Sequence, residues 1–277
     1  MNQTQQAKKS YFDLTGKVIV VTGATGILGE AFVKGLYEMG AHVVLLGRNK
    51  EIGEERATKL NADGGSAMFI ATNVLQKVDL EKAREQVLAK WGKIDGLVNA
   101  AGGNIPEAVI APGSDVFEMD FDALKRAFDL NLYGTLMPTC IFGKVMTAST
   151  KASIVNISSM AAQSAITRVL GYSMAKAAVD NFTRWMSVEL AQRYGDAVRI
   201  NAIAPGFFVT NQNRHLLVKD DGYTPRGEAV IRNTPFNRFG NPDELIGTLI
   251  WLLSDASHFV TGEVICVDGG FNVFSGV

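Results

Sequence analysis

The stretch SIVNISSMAAQSAITRVLGYSMAKAAVDNFT, residues 153–183, decides the fold and points to the chemistry. Its first part, Ile154-Val155-Asn156-Ile157, is a short apolar run of strand type that ends in the hydroxyls Ser158 and Ser159. A helix then presents Tyr172 and Lys176, which at i and i+4 share one face, so the ammonium can lie beside the phenol. A nearby cation favours the phenolate over its ordinary pKa of about 10, and a phenol tuned towards neutrality can exchange a proton with a carbonyl or alcohol. Tyr-x-x-x-Lys alone is a weak signal. Ser159, thirteen residues upstream, strengthens it, because a serine at a strand end can hold a carbonyl oxygen while tyrosine protonates it. Taken without the other two, Ser159 reads rather as a turn or helix-capping hydroxyl.

Working outward, Lys17–Val21 reads as a buried parallel strand and runs into Thr22-Gly23-Ala24-Thr25-Gly26-Ile27-Leu28-Gly29. An amphipathic helix to Met39, Gly40 and a second strand at His42–Leu46 follow, so the glycines occupy a strand-turn-helix unit. In that setting Gly23, Thr25, Gly26, Ile27 and Gly29 suit a pyrophosphate, which the tight turn lets approach and the free helix N–H groups attract. Alternation continues with a helix near 50–62, a strand at Met68–Ala71, a helix at 78–91 and the strand Gly96–Val98, leading into Asn99-Ala100-Ala101-Gly102. After a loop at 103–119, a helix places Phe121, Leu124 and Phe128 on one face and reaches Asn131, an amide suited to holding a water or a backbone kink near the lysine.

Beyond the central stretch, the strand Val198–Ile203 ends at Ala204-Pro205-Gly206. Segment 206–240 is irregular and locally basic, the place and composition of a lid over an anionic substrate. A helix from Asn241-Pro242 through Leu253 and a final strand at Val264–Val267 close the pattern.

With 277 residues and 47% hydrophobic content the chain can bury one full core, which predicts a polar lead over 1–13 and one domain over 14–277. Twenty-seven basic against 28 acidic residues give no electrostatic footprint for nucleic acid or an anionic membrane. Two cysteines and three scattered histidines suggest neither a disulfide framework nor a metal site. The polar start and the lack of an apolar run of spanning length lead to the expectation of a cytoplasmic protein with a small-molecule partner.

Taken in order, these motifs resemble the short-chain dehydrogenase/reductase family from Lys17 to about Phe271. The resemblance implies an α/β, single-domain, doubly wound parallel sheet (Rossmann fold) with helices on both faces, and a homotetramer. It assigns Ser159, Tyr172 and Lys176 to catalysis, with Asn131 supporting the lysine through water. It places Asn99-Ala100-Ala101-Gly102, Asn73 with Val74, and Pro205, Gly206, Phe208 and Thr210 at a nicotinamide dinucleotide, which Tyr172 and Lys176 also touch. Two departures stand out: the glycines at 23, 26 and 29 are spaced three and three rather than four and two, and Asn73 replaces the family's adenine-contacting aspartate.

At the end of the second strand, Gly47 takes the place of an acidic residue that would bind a ribose 2′-hydroxyl, and Arg48 could pair with a 2′-phosphate. This favours NADP and leaves NAD open. Within the family, the tail from Phe207 resembles the D-mannonate oxidoreductase (fructuronate reductase) branch, implying a hexuronate or aldonate substrate whose carboxylate Arg168, Arg214 or His215 would bind. Another sugar-acid or polyol dehydrogenase, of gluconate or deoxy-keturonate type, and a nucleotide-binding protein without turnover are the alternatives.

Overall fold

Strand β1, Val18–Thr22, is buried at every residue because both its faces are covered: Ile19 and Val21 enter one apolar cluster, Val18 and Val20 the other. The computed structural model describes residues 10–62, 64–149, 151–210 and 213–276, so most of the 1–13 lead lies outside the described residues. Leu14 is already fully buried in the first cluster.

The order from β1 is α1 (Ile27–Glu38), β2 (His42–Gly47), α2 (Lys50–Ala62), β3 (Ala67–Ala71), α3 (Lys77–Trp91) and β4 (Gly96–Asn99). Next come α4 (Phe121–Phe128), α5 (Gly134–Met146), β5 (Ala152–Ile157), α6 (Leu170–Tyr194) and β6 (Val198–Pro205). The chain closes with α7 (Arg214–Leu217), the two-residue strands β7 (Val218–Lys219) and β8 (Gly222–Tyr223), α8 (Pro225–Arg232), α9 (Ile246–Leu253) and β9 (Val264–Val267). Seven strands form one parallel sheet in the order β3-β2-β1-β4-β5-β6-β9. Helices α1, α2 and α9 cover one face, while α3, α5 and part of α6 cover the other. The predicted doubly wound, single-domain α/β architecture is thus observed. Because the order reverses between β1 and β4, the carboxyl ends of these strands open a crevice. Among the described residues no helix is long and apolar enough to cross a membrane.

Two expected elements differ. Phe121 is 76% exposed, and the core side of α4 is Ala123 and Ala127 with Leu124 beside them. The apolar spacing was right for a helix, but small residues set its approach to α6, whose Gly171 meets Leu124 and Ala127. Segment 206–240 is also more ordered than its composition suggested, since it contains α7, α8 and the β7–β8 hairpin. Thr224 caps α8 by accepting from the Gly227 N–H at 3.0 Å, and Pro225 occupies its first turn.

Two of the three glycines of the turn after β1 have a packing reason, and the middle one has none. Gly23 is left-handed, at φ 65°, and a Cβ there would lie 2.6 Å from the Ala100 carbonyl oxygen. Gly29, in the first turn of α1, packs so closely that a Cβ would lie 2.2 Å from the Gly23 carbonyl oxygen and 2.8 Å from Ala24 Cα. At Gly26 a Cβ meets only the Gly23 oxygen, at 3.4 Å, an ordinary contact. Gly29→Ala would gain up to about 1 kcal/mol in helix propensity, but backbone overlap costs more, about 1–3 kcal/mol or above. Gly29→Ala is therefore expected to lower Tm in calorimetry and Gly26→Ala to leave it nearly unchanged; equal effects would show that the loop gives way freely.

Candidate active site

Ser159 follows β5 directly, and Tyr172 and Lys176 lie one turn apart near the start of α6, so the strand end and the helix bring all three to one cavity. Ser159 caps a turn by accepting from the Ala161 N–H at 3.1 Å, and the same hydroxyl also hydrogen bonds Tyr172. Lys176 is 4% exposed; its Nζ donates to the Ile157 carbonyl at 2.7 Å and lies 5.6 Å from the centroid of the Tyr172 ring. One turn on, Asp180 accepts a short hydrogen bond from the Ser158 hydroxyl.

Burial sets the electrostatics. It pushes the Lys176 ammonium down to about 8, against the opposing field of Asp180. It raises the Tyr172 phenol, and the hydrogen bond from Ser159 opposes this only in part. This corrects the sequence expectation of a phenol lowered by its lysine: dehydrating a phenolate outweighs a cation whose nearest bond is to the Ile157 carbonyl. Burial likewise raises the Asp180 carboxyl.

Asn131 is fully buried in a π-helical turn, Asp129–Tyr133, that joins α4 to α5. Its Oδ1 accepts from the Gly103 N–H at 2.9 Å, and its Nδ2 donates to the carbonyls of Gly103 at 2.8 Å and Ala127 at 2.7 Å. The amide therefore clamps the backbone after β4, and that clamp leads past Lys176: a Cβ at Gly102 would lie 2.6 Å from Asn131 Oδ1 and 3.3 Å from Lys176 Nζ.

The cavity holds about 200 Å³, below the ~300–1,000 Å³ typical for drug-sized ligands, which suits a small metabolite. It shares Leu28, Ala100, Gly102 and Thr210 with a groove of about 370 Å³ at the β1–β4 crevice, so the two are continuous. The groove collects Gly23, Thr25, Gly26, Ile27, Gly29, Arg48, Asn73, Val74 and Ala101, while Pro205, Gly206 and Phe208 lie on the cavity side. Asn99 is the exception. Its Nδ2 donates to Thr139 Oγ1 and Asn156 Oδ1, each at 2.8 Å, inside the core, so it braces strands instead of facing the groove.

The groove fits a dinucleotide on its own features. Helix α1 starts at Gly26 without a side-chain cap, leaving its first N–H groups for an anion. A Cβ at Gly47 would meet Thr25 at 2.8 Å, so an acidic residue at this position would have to displace Thr25, and Arg48 and Asn49 lie alongside. Arg56 of α2, which no sequence signal marked, donates to the carbonyls of Ala24 at 2.6 Å and Gly26 at 2.9 Å and fixes the turn.

The three basic residues expected to meet a substrate do not line the cavity. Arg214 and His215 are exposed on α7, which turns Leu216 and Leu217 inward. Arg168, left-handed at φ 77°, lines a neighbouring apolar cavity, which shares Ala161 and Ile166 with the first. The arginine at the cavity is Arg226, in the first turn of α8. The Thr224-Pro225 start signal could have placed it on a helix; only folding brings it to the cavity that Tyr172 also lines.

The Lys176 shift has a definite sign. Its folded value lies below the ordinary 10.5, so burying the cation destabilises the fold fully below pH 8 and ceases to do so as pH rises towards 10.5. Lys176→Met removes that cost. Its stability relative to the unaltered chain should fall between pH 7 and pH 10 by on the order of 3 kcal/mol, measured by urea unfolding. A difference independent of pH would mean that the buried lysine is not depressed.

Comparison with known proteins gives concordant matches. The family described as Enoyl-(Acyl carrier protein) reductase matches residues 23–272. An uncharacterized oxidoreductase, UxuB, of Bacillus subtilis strain 168 is 41% identical over 275 residues, 96% of this chain and 98% of its own. The crystal structure of a candidate D-mannonate oxidoreductase of Haemophilus influenzae, with bound NAD, superposes with a TM-score of 0.88 at 40% identity, covering 96% of this chain and 98% of the other. A gluconate 5-dehydrogenase of Burkholderia cenocepacia J2315, in complex with NADP and tartrate, gives a TM-score of 0.84 at 30% identity, covering 94% and 97%.

Proposed function

The chain belongs to the short-chain dehydrogenase/reductase family, and we propose that it is an NAD(P)-dependent oxidoreductase interconverting D-fructuronate and D-mannonate. The observation that carries the reading is the convergence of Ser159, Tyr172 and Lys176 in one small cavity continuous with a groove built for a dinucleotide. The relatives support a sugar acid, since one is described for D-mannonate and another for gluconate.

The nicotinamide cofactor supplies or removes the hydride. Thr25, Gly26 and Ile27 would hold its pyrophosphate, and Arg48 and Asn73 the adenosine end. The chain's own residues handle the proton. Tyr172, whose buried phenol keeps its proton at neutral pH, gives it to the carbonyl oxygen during reduction, so that the keto group becomes a secondary alcohol. Ser159 donates to the same oxygen and opposes charge build-up there. Lys176 fixes the strand end against α6 and favours the tyrosinate left after transfer. Asn131 is a positioning residue, holding the Gly103 backbone beside that ammonium. Segment 206–240 supplies part of the cavity wall through Phe207, Phe208, Leu216, Leu217 and Arg226 and acts as the lid.

The test is oxidation of NADH and of NADPH, in parallel, with D-fructuronate, beside NAD(P)-linked oxidation of D-mannonate and D-gluconate. Fructuronate-dependent turnover is expected, and activity on gluconate alone would move the substrate to the gluconate 5-dehydrogenase type. Tyr172→Phe should keep its fold by circular dichroism and lose turnover by at least about 100-fold; near-normal kcat would remove Tyr172 from the mechanism.

A further inference from the structure

Among the described residues lining the cavity, only Lys176 and Arg226 carry a formal charge, and no carboxylate faces them there. Lys176 is committed to the Ile157 carbonyl, whereas Arg226 is held but not neutralised. Its Nη1 donates to Thr167 Oγ1 at 3.1 Å and its Nη2 to the Thr167 carbonyl at 3.2 Å. Those two bonds fix the plane of the guanidinium and leave three of its five N–H donors. No acidic side chain among the described residues pairs with it, and the charge that acts on it comes from Arg168, of the same sign. Two neighbouring guanidiniums, one partly withdrawn from water, are a costly arrangement that a bound anion relieves.

We propose that Arg226 is the residue that recognises the substrate's carboxylate, its fork oriented by Thr167, with Arg168 adding to the positive field from behind. The inference rests on the sugar-acid reading above and deepens it. In D-fructuronate the keto carbon and the carboxylate lie near opposite ends of the carbon chain, so separate groups can hold them. Tyr172 and Ser159 take the keto end, and α8, across the cavity, takes the acid end. Arg214 and His215 lie on the outer side of α7 and have no part in it.

The experiment compares D-fructuronate with its neutral methyl ester in the unaltered enzyme and in Arg226→Leu, Arg226→Lys and Thr167→Val. Arg226→Leu should raise KM for the acid roughly 10- to 100-fold, the range for losing a charged hydrogen-bonding partner, and lower kcat/KM for the ester far less, because the neutral ester forms only an uncharged hydrogen bond there. Arg226→Lys should recover part of the loss, because it restores charge without the fork. Thr167→Val should raise KM for the acid by a few-fold. Equal losses on acid and ester would make Arg226 a structural brace and overturn the proposal. An unchanged KM for the acid would overturn it too, with the sugar-acid reading left intact. Calorimetric titration with D-mannonate supplies a readout independent of turnover: binding that Arg226→Leu weakens at least tenfold supports the assignment. An unaltered enzyme that neither reduces D-fructuronate nor binds D-mannonate would remove the sugar-acid reading and the anchor together.

Discussion

The bond from the Lys176 ammonium to the Ile157 carbonyl ties the end of β5 to the first turns of α6, and the site is assembled around it. An ammonium 4% exposed is costly to bury, which is why its proton affinity falls to about 8. The fold tolerates the cost because the carbonyl accepts the charge-assisted bond and Asp180, one turn along, supplies an opposing field. Asp180 is itself held by the Ser158 hydroxyl, so strand end and helix are joined twice. With α6 fixed in this way, the Tyr172 phenol is held within hydrogen-bonding reach of the Ser159 hydroxyl, two groups from separate elements.

Behind this junction runs a polar ladder through an otherwise apolar sheet. Asn99 bridges to Thr139 of α5 and Asn156 of β5, and Asn156 continues to Thr183 of α6 at 2.9 Å. Thr22 accepts from the N–H groups of Ala100 and Ala101, each at 3.1 Å, and so directs the chain as it leaves β4. Asn131 then clamps Gly103. These buried amides and hydroxyls specify where the backbone passes between groove and cavity, something that non-directional apolar packing would leave loosely defined.

The alternation of strands and helices, the glycine turn after β1 and the Tyr-x-x-x-Lys pair were legible because each depends on neighbours within a few positions of sequence. Periodicity also found α4, yet it mistook the face: Phe121 is outside and Ala123 and Ala127 are inside, because close approach to α6 favours small side chains over large ones. Asn131 was recognised as an unusual polar residue in a helix, but the partner it serves, the backbone at Gly103, is 28 positions away. The phenol's direction of shift was misjudged for the same kind of reason, since desolvation depends on everything packed around a group and not on the residue four positions on.

Among the basic residues of segment 206–240 the limit is plainest. Arg214, His215 and Arg226 look alike in sequence, all in a locally basic segment after a strand. Which of them meets the cavity depends on how two short helices rotate: α7 buries Leu217 and turns its basic side outward, while the Thr224 cap starts α8 so that Arg226 points towards Thr167. The sequence by itself determined the winding order, the glycine turn that opens α1 and the residue types able to exchange a proton, because local geometry and periodicity govern these. The depressed lysine, the clamp at Gly103 and the choice of arginine were decided only by the tertiary structure, because burial and side-chain direction follow from contacts between distant parts of the chain.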